Sequence, residues 1–278
     1  MMLILTFKDS HSRFESSDRS ESNRLMPRHA FLEYDGVLAF AHRGDGEAAP
    51  ENTAAAFESA VMLGYRYLET DVHCTLDGVL IAFHDDRLDR VTGERGIIRE
   101  LNYPAVARAR VMGREPIPLM EDLLGNFPDT RFNIDPKSDA AVGPLIEMIK
   151  RTQAHDRVCI GSFSDRRLRR VRSELPNVCT SMATFEAVRA RLSSMGVPVG
   201  RLQAACAQVP VIWNGIKVID HHFVRTMKTR GLQTHVWTVN EPQEMRRLLD
   251  LGVDGLMTDR PAVLKEVLQA RGQWHQDD

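Results

Sequence analysis

The sequence predicts an α/β protein built as one (β/α)8 barrel. Three observations predict it. Short apolar runs alternate with helix-patterned segments along most of the 278 residues, which is the signature of repeated β-α units. Ionisable residues stand at or just past the C-terminal ends of several runs, the rim on which barrel enzymes carry their chemistry. No Gly-x-Gly-x-x-Gly opens the first helix, which weakens the rival, a doubly wound nucleotide-binding sheet.

The elements follow in order. Residues 1–26 begin MMLILTF and continue in Ser, Arg, Glu and Asp; they read as a disordered extension, since the apolar start is shorter than a signal core. The barrel is expected over residues 36–270. Val37–Ala41 is a first strand and delivers His42, Arg43 and Gly44. Asn52 or Thr53 then caps a helix carrying Phe57, Ala60 and Val61, which ends at Gly64. Tyr67–Val72 is a second strand whose alternation turns Glu69 and Asp71 to one face and Leu68, Thr70 and Val72 to the other. Val79–Phe83 is a third run and ends in His84 and Asp85.

Residues 86–118 read as a surface excursion with a short helix near 103–110, and a helix opens after Pro118 and Leu119. Arg131–Pro136 is the next strand, with Asn133, Asp135 and Lys137 on one face and Phe132 and Ile134 on the other. The alternation continues with a helix at Val142–Lys150, a strand at Val158–Gly161, and a helix capped by Ser164 or Asp165 and running to Glu174. A strand at Asn177–Ser181, a helix at Phe185–Ser194 and a strand at Leu202–Cys206 come next, then PVIWNGIKVI as a connection. His221–Lys228 is helical, Gln233–Thr238 a strand, Pro242–Leu251 a helix, Val253–Thr258 the last strand and Pro261–Ala270 the last helix. Residues 271–278 read as a frayed tail.

Composition narrows the function. Lys and Arg number 36 against 38 Asp and Glu, so no basic excess points to nucleic acid. No apolar run approaches the roughly 20 residues that span a bilayer. The 4 cysteines show no Cys-x-x-Cys spacing and read as reduced core thiols, which fits a reducing, cytoplasmic setting.

The chemistry lies at the strand ends. Glu69, Asp71 and Asp135 bring three carboxylates together, a costly arrangement without positive charge between them. A metal ion, or Lys137 with Arg43, can supply that charge; all-oxygen ligands favour Ca²⁺ or Mg²⁺. His42 and His84 titrate near neutrality and suit acid/base work, and the Arg43 fork matches phosphate oxygens. Asp85 either holds a histidine in one tautomer or starts a turn. Trp237 either meets the substrate or packs in the core. Glu51 and Asn52 read as orienting the first loop, His73 as a surface residue, and His221 and His222 as having no role. A Schiff-base role for Lys137 ranks low, because the adjacent carboxylates keep it protonated.

These residues occur as His42-Arg43-Gly44, Pro50-Glu51-Asn52-Thr53, Glu69-x-Asp71, Asp77-Gly78, His84-Asp85 and Asn133-Ile134-Asp135-Pro136-Lys137. Gly161-Ser162-Phe163, Trp237-Thr238-Val239-Asn240, Gly252-Val253-Asp254-Gly255 and Thr258-Asp259-Arg260-Pro261 follow. Together, over residues 36–268, they resemble the bacterial type of the glycerophosphodiester phosphodiesterase family. The resemblance implies a TIM barrel of the phospholipase C-like phosphodiesterase type, and hydrolysis of a glycerophosphodiester to glycerol 3-phosphate and an alcohol. It implies one divalent cation, Ca²⁺ or Mg²⁺, on Glu69, Asp71 and Asp135, with His42 as general acid and His84 as general base. Arg43, Lys137, Trp237 and Glu51 are expected around the phosphate and substrate. The attacking group is water or the neighbouring glycerol hydroxyl, the latter through a cyclic phosphate. The chain departs from the family in carrying Asp135 where Glu is usual, and in a short 86–118 excursion. Two further readings stand beside this one: a phospholipase D-like enzyme acting on lysophospholipid or sphingomyelin, and a catalytically silent barrel that binds a phosphate ester.

Overall fold

A computed structural model describes residues 29–274; the expected disordered extension at residues 1–26 and the last four residues of the tail lie outside the described residues. The strands are β1 (Leu38–His42), β2 (Tyr67–Cys74), β3 (Leu80–Ala82), β4 (Arg110–Val111), β5 (Glu115–Pro116), β6 (Arg131–Pro136), β7 (Val158–Ile160), β8 (Cys179–Thr180), β9 (Cys206–Pro210), β10 (Ile212–Trp213), β11 (Ile216–Lys217), β12 (Gln233–Trp237) and β13 (Gly255–Thr258). The helices are α1 (Ala54–Met62), α2 (Tyr103–Val106), α3 (Met120–Asn126), α4 (Asp139–Thr152), α5 (Asp165–Glu174), α6 (Thr184–Ser194), α7 (His221–Thr229), α8 (Pro242–Asp250) and α9 (Pro261–Ala270).

Eight parallel strands run in the order β8-β7-β6-β2-β1-β13-β12-β9. A single parallel bridge, Ser181 to Cys206, and the bond from Ala205 N–H to Thr180 O join the two ends of that path. The result is a (β/α)8 barrel, nearly closed, whose seam lies between β8 and β9.

Alternation places the core. Leu68, Phe132, Ile134, Val209 and Leu256 point outward and pack with Phe57, Leu145, Leu168, Phe223 and Leu264 from the helices. Phe31, Phe40, Tyr67 and Met257 point inward and fill the lower barrel. Phe31 precedes the first strand, meets Tyr67 edge to face at 5.3 Å and accepts its hydroxyl at 2.9 Å, so the packed body begins before residue 36. The helix starts are chemically marked. Thr53, Ser138, Ser164 and Asp220 each accept a backbone N–H from the first turn with their side chains.

Five expectations need correction. The third apolar run is not a barrel strand. The five residues between Cys74 and Leu80 turn through Gly78 at φ 87°, too tight for a crossover, so β3 pairs antiparallel to β2. The strand expected at Leu202–Cys206 is Cys206–Pro210, because the ladder with β12 runs from Gln233↔Cys206 to Trp237↔Pro210. The connection after it folds as a hairpin, β10 on β11. The 86–118 excursion carries a core of its own, in which Ile81, Phe83, Leu88, Ile98, Val106 and Ile117 are buried. Of the tail, Trp274 packs on Tyr65 at 5.2 Å.

The excursion core generates a test. Ile98 is fully buried, and Ile98→Ala should cost about 2–5 kcal/mol if the segment packs as one piece with the barrel. Urea unfolding measures it; a change within about 0.5 kcal/mol, as for surface sites, would make the excursion an appendage.

Candidate active site

The C-terminal ends of the barrel strands surround a cavity of 220 Å³. Its walls include His42, Arg43, Glu69, Asp71, His84, Asp135, Lys137 and Trp237. Eight of the nine residues singled out in the sequence therefore meet at one place. Glu51 does not line the cavity: its Oε1 takes Arg43 Nη1 at 3.3 Å and Arg90 Nη2 at 2.5 Å. A carboxylate repels phosphate, and here it serves to hold Arg43.

The first loop is built for close approach. Gly44 has φ 85°, and a Cβ there would meet the Ala56 carbonyl carbon at 2.7 Å, so only glycine fits. Arg43 and Asn52 adopt left-handed backbone at φ 59° and 56°, a strain that clusters at functional loops. Asn52 does not cap the helix; Thr53 does. The buried Asn52 side chain instead donates to Asp71 Oδ2 at 3.2 Å and accepts the Thr70 hydroxyl at 2.7 Å.

Register brings the carboxylates together. Glu69 and Asp71 share the inner face of β2, and Asp71 is the partner of Asp135 across to β6. Lys137 Nζ stands between those two, 2.6 Å from Asp71 Oδ1 and 2.8 Å from Asp135 Oδ2. Arg43 Nε lies 3.1 Å from Asp71 Oδ2. Burial works against the Asp71 charge, yet Lys137 and then Arg43 outweigh it and hold the carboxyl below its usual range. At Asp135 burial wins over Lys137 and the carboxyl is raised. Glu69 is pushed up to about 7, by burial first and then by Asp71. Its Oε2 is buried without a hydrogen-bond partner. An orphaned buried carboxylate oxygen beside two further carboxylates fits a hard cation. The three carboxylates are spread wider than a closed ligand cage: among the described residues, only Cys159, Cys179 and Cys206 form a cluster of metal-type ligands within 4.8 Å of one another.

Each histidine has its own carboxylate. His42 Nδ1–H donates to Asp259 Oδ1 at 2.5 Å, and its Nε2 faces Glu69 Oε2 at 3.6 Å. Burial pulls the His42 pKa down, but Glu69 and the Asp259 bond more than offset it, and the net shift is upward. Asp259 is held in turn by Asn240 Nδ2 at 2.8 Å. His84 arrives from the β2–β3 hairpin rather than from a barrel strand. Its Nδ1–H donates to Asp85 Oδ1 at 2.6 Å, so Asp85 orients a histidine. Arg90 Nε donates to Asp85 Oδ2 at 2.5 Å, and this bond, ahead of the one from His84, brings Asp85 down to about 2. His73 is buried, not at the surface, and its Nε2–H donates to the His84 carbonyl at 3.0 Å.

The opposite wall is apolar. Phe163 meets Trp237 edge to face at 5.7 Å and stacks on Trp213 at 5.5 Å. Phe163, Met182 and Trp237 also border an adjoining trough of 320 Å³ lined by Val188, Leu192 and Ile216. Sequence reasoning gave no role to Asp259, Asn240 or Arg90. Asp259 and Asn240 stood in quoted motifs, each just past a strand end, and that position was the available signal. Arg90 lies in the excursion and carried none.

The His42–Asp259 bond has a measurable signature. In Asp259→Asn the negative charge that holds the imidazolium is gone, so His42 should titrate at lower pH. Carbon-13 NMR of the histidine ring measures the midpoint; an unchanged midpoint would remove Asp259 from this role.

Comparison with known proteins agrees with the geometry. The model of the glycerophosphoryl diester phosphodiesterase family matches residues 42–263. The chain is 42% identical over 257 residues to "Probable glycerophosphodiester phosphodiesterase 2" of Mycobacterium tuberculosis, covering 89% of this chain and 97% of that protein. Among solved structures, the putative glycerophosphoryl diester phosphodiesterase of Silicibacter pomeroyi superposes with a TM-score of 0.76 at 22% identity, over 89% of this chain and 100% of that one. A phosphodiesterase of Oleispira antarctica, solved in complex with the product sn-glycerol-3-phosphate, superposes with a TM-score of 0.73 at 21% identity, over 84% of this chain and 97% of that one. The matched span takes in every cavity-lining residue named above, and the chain belongs to the glycerophosphoryl diester phosphodiesterase family.

Proposed function

We propose that this chain hydrolyses a glycerophosphodiester to glycerol 3-phosphate and an alcohol, with His84 as general base and His42 as general acid. One observation carries the reading: two histidines, each clamped at Nδ1 by its own carboxylate, share one cavity with Arg43 and Lys137. The product held by the similar Oleispira antarctica phosphodiesterase is the one expected here.

The clamps divide the labour. Because His84 spends its Nδ1–H on Asp85, its Nε2 presents a lone pair to the cavity and can take a proton from the attacking hydroxyl, whether of water or of the glycerol. Arg90 keeps Asp85 ionised, so the proton taken at Nε2 stays on the imidazole. The Asp259 carboxylate at Nδ1 and Glu69 near Nε2 favour the charged form of His42, which suits it to protonate the departing alkoxide from Nε2. Arg43 and Lys137 supply fixed positive charge for the phosphoryl oxygens, where negative charge grows in the transition state. Phe163, Met182 and Trp237 offer the leaving alcohol an apolar wall. Glu69, Asp71 and Asp135 are the residues that would hold a divalent cation, Ca²⁺ or Mg²⁺, whose bound charge adds to that of the arginine and lysine. Four free, buried thiols support a reducing, cytoplasmic setting. Among the described residues, no helix is long and apolar enough to cross a membrane.

Two experiments test this. His42→Ala and His84→Ala should each lower kcat on glycerophosphocholine by roughly 10²–10⁴-fold. A nitrophenyl phosphodiester, whose leaving group needs no proton, should restore His42→Ala and leave His84→Ala impaired; the opposite pattern reverses the roles, and no loss in either variant refutes the mechanism. Chelation should abolish turnover, and Mg²⁺ or Ca²⁺ should restore it in the wild type. Asp71→Asn should bind either cation more weakly by calorimetry, and unchanged binding would place the cation elsewhere.

A further inference from the structure

We propose that Cys159, Cys179 and Cys206 form a binding site for a soft, thiol-seeking metal ion inside the barrel, below the catalytic cavity. The chain has 4 cysteines, far apart in sequence, and three of them converge. Their sulfurs all lie within 4.8 Å of one another, and all three thiols are free and buried. A zinc–sulfur bond of about 2.3 Å sets the sulfurs of a metal-thiolate site roughly 3.8 Å apart, which side-chain rotation reaches from this arrangement.

The placement has a structural logic. Cys159 on β7 and Cys179 on β8 are register partners. Cys206 opens β9 and is the residue bridged to Ser181. The three sulfurs therefore straddle the seam between β8 and β9, where the barrel ladder is thinnest. An ion bound there ties both sides together. Packing alone does not call for sulfur at this level; barrel interiors are more often filled by branched or bulky side chains, as Phe40, Tyr67 and Met257 fill this one.

A second observation stands beside the thiols. His235 is fully buried next to Cys206. Its Nε2–H donates to Gln233 Oε1 at 3.1 Å, its Nδ1 accepts from the Gln208 amide at a long 3.4 Å, and the ring is in hydrogen-bond contact with the Cys206 thiol. A metal-ligating histidine typically donates its other N–H to an oxygen in this way. Phe40, with its ring centre 5.2 Å away, and Gly255, where a Cβ would lie 2.9 Å from the imidazole Cδ2, hold the ring in place. His235 is thus a fixed imidazole beside Cys206, outside the 4.8 Å cluster of the three sulfurs, and three thiolates with one imidazole form a familiar zinc-type set. On binding, each metal–sulfur bond replaces an S–H bond and the thiol protons pass to water.

The site is enclosed, so it fills as the chain folds. Full-length protein is unfolded under reducing conditions and refolded with Co²⁺. The expected result is sulfur-to-cobalt charge-transfer absorption at one equivalent per chain. The carboxylates of the catalytic cavity hold no sulfur and cannot produce that band, so it should persist in Asp71→Asn. It should vanish in Cys206→Ala, with Cys159→Ala and Cys179→Ala as alternatives if that variant does not refold. Refolded wild-type protein with native circular dichroism and no charge-transfer band in excess Co²⁺ overturns the proposal and leaves three thiols that only pack.

Discussion

The ammonium of Lys137 sits between Asp71 and Asp135, two carboxylates that the parallel register of β2 and β6 makes direct neighbours. Facing carboxylates in a half-dry cavity repel, and the barrel tolerates them only because positive charge is threaded among them. Arg43 adds its share from the first loop, whose left-handed backbone is set by Gly44 against α1. Asn52 closes the ring by tying that loop to Asp71. The cavity is thus a balanced charge cluster, and each element that enters it contributes to the balance.

The two ends of the barrel divide stability from chemistry. Below, Phe31, Phe40, Tyr67 and Met257 fill the interior with rings and thioether. Above, the interior turns polar: Asn133 accepts from Gln208 at 2.9 Å, and the carboxylates and histidines follow. The outward-facing residues of the same strands are mostly apolar, as at Leu68, Val72, Phe132, Ile134, Val209, Val236 and Leu256, because the helices cover them.

Much of this was legible in the sequence. Period-two alternation put Glu69 with Asp71, and Asn133 with Asp135 and Lys137, on one face; the structure keeps those faces. The helices were legible from capping residues and periodicity, and several fall within a residue or two of expectation. What escaped depended on distance along the chain. β3 reads as one more strand run because its residues are as apolar as the others; only the shortness of the connecting turn betrays the hairpin. His73 looks polar and exposed, yet the His84 carbonyl that receives its N–H is supplied by the returning strand. Asp259 lies 217 residues from His42, and no local pattern pairs them. Cys159, Cys179 and Cys206 read as scattered thiols for the same reason.

Arg90 joins the excursion to both halves of the site at once. Its guanidinium holds Asp85, the carboxylate behind His84, and Glu51, the carboxylate behind Arg43. The excursion is therefore not an interchangeable appendage. A segment grafted from a relative in place of the excursion would also remove Arg90, which bonds to both supports, and His84 and Arg43 would loosen together. Redesign of the excursion is confined to substitutions that keep this one side chain and the small apolar core that carries it.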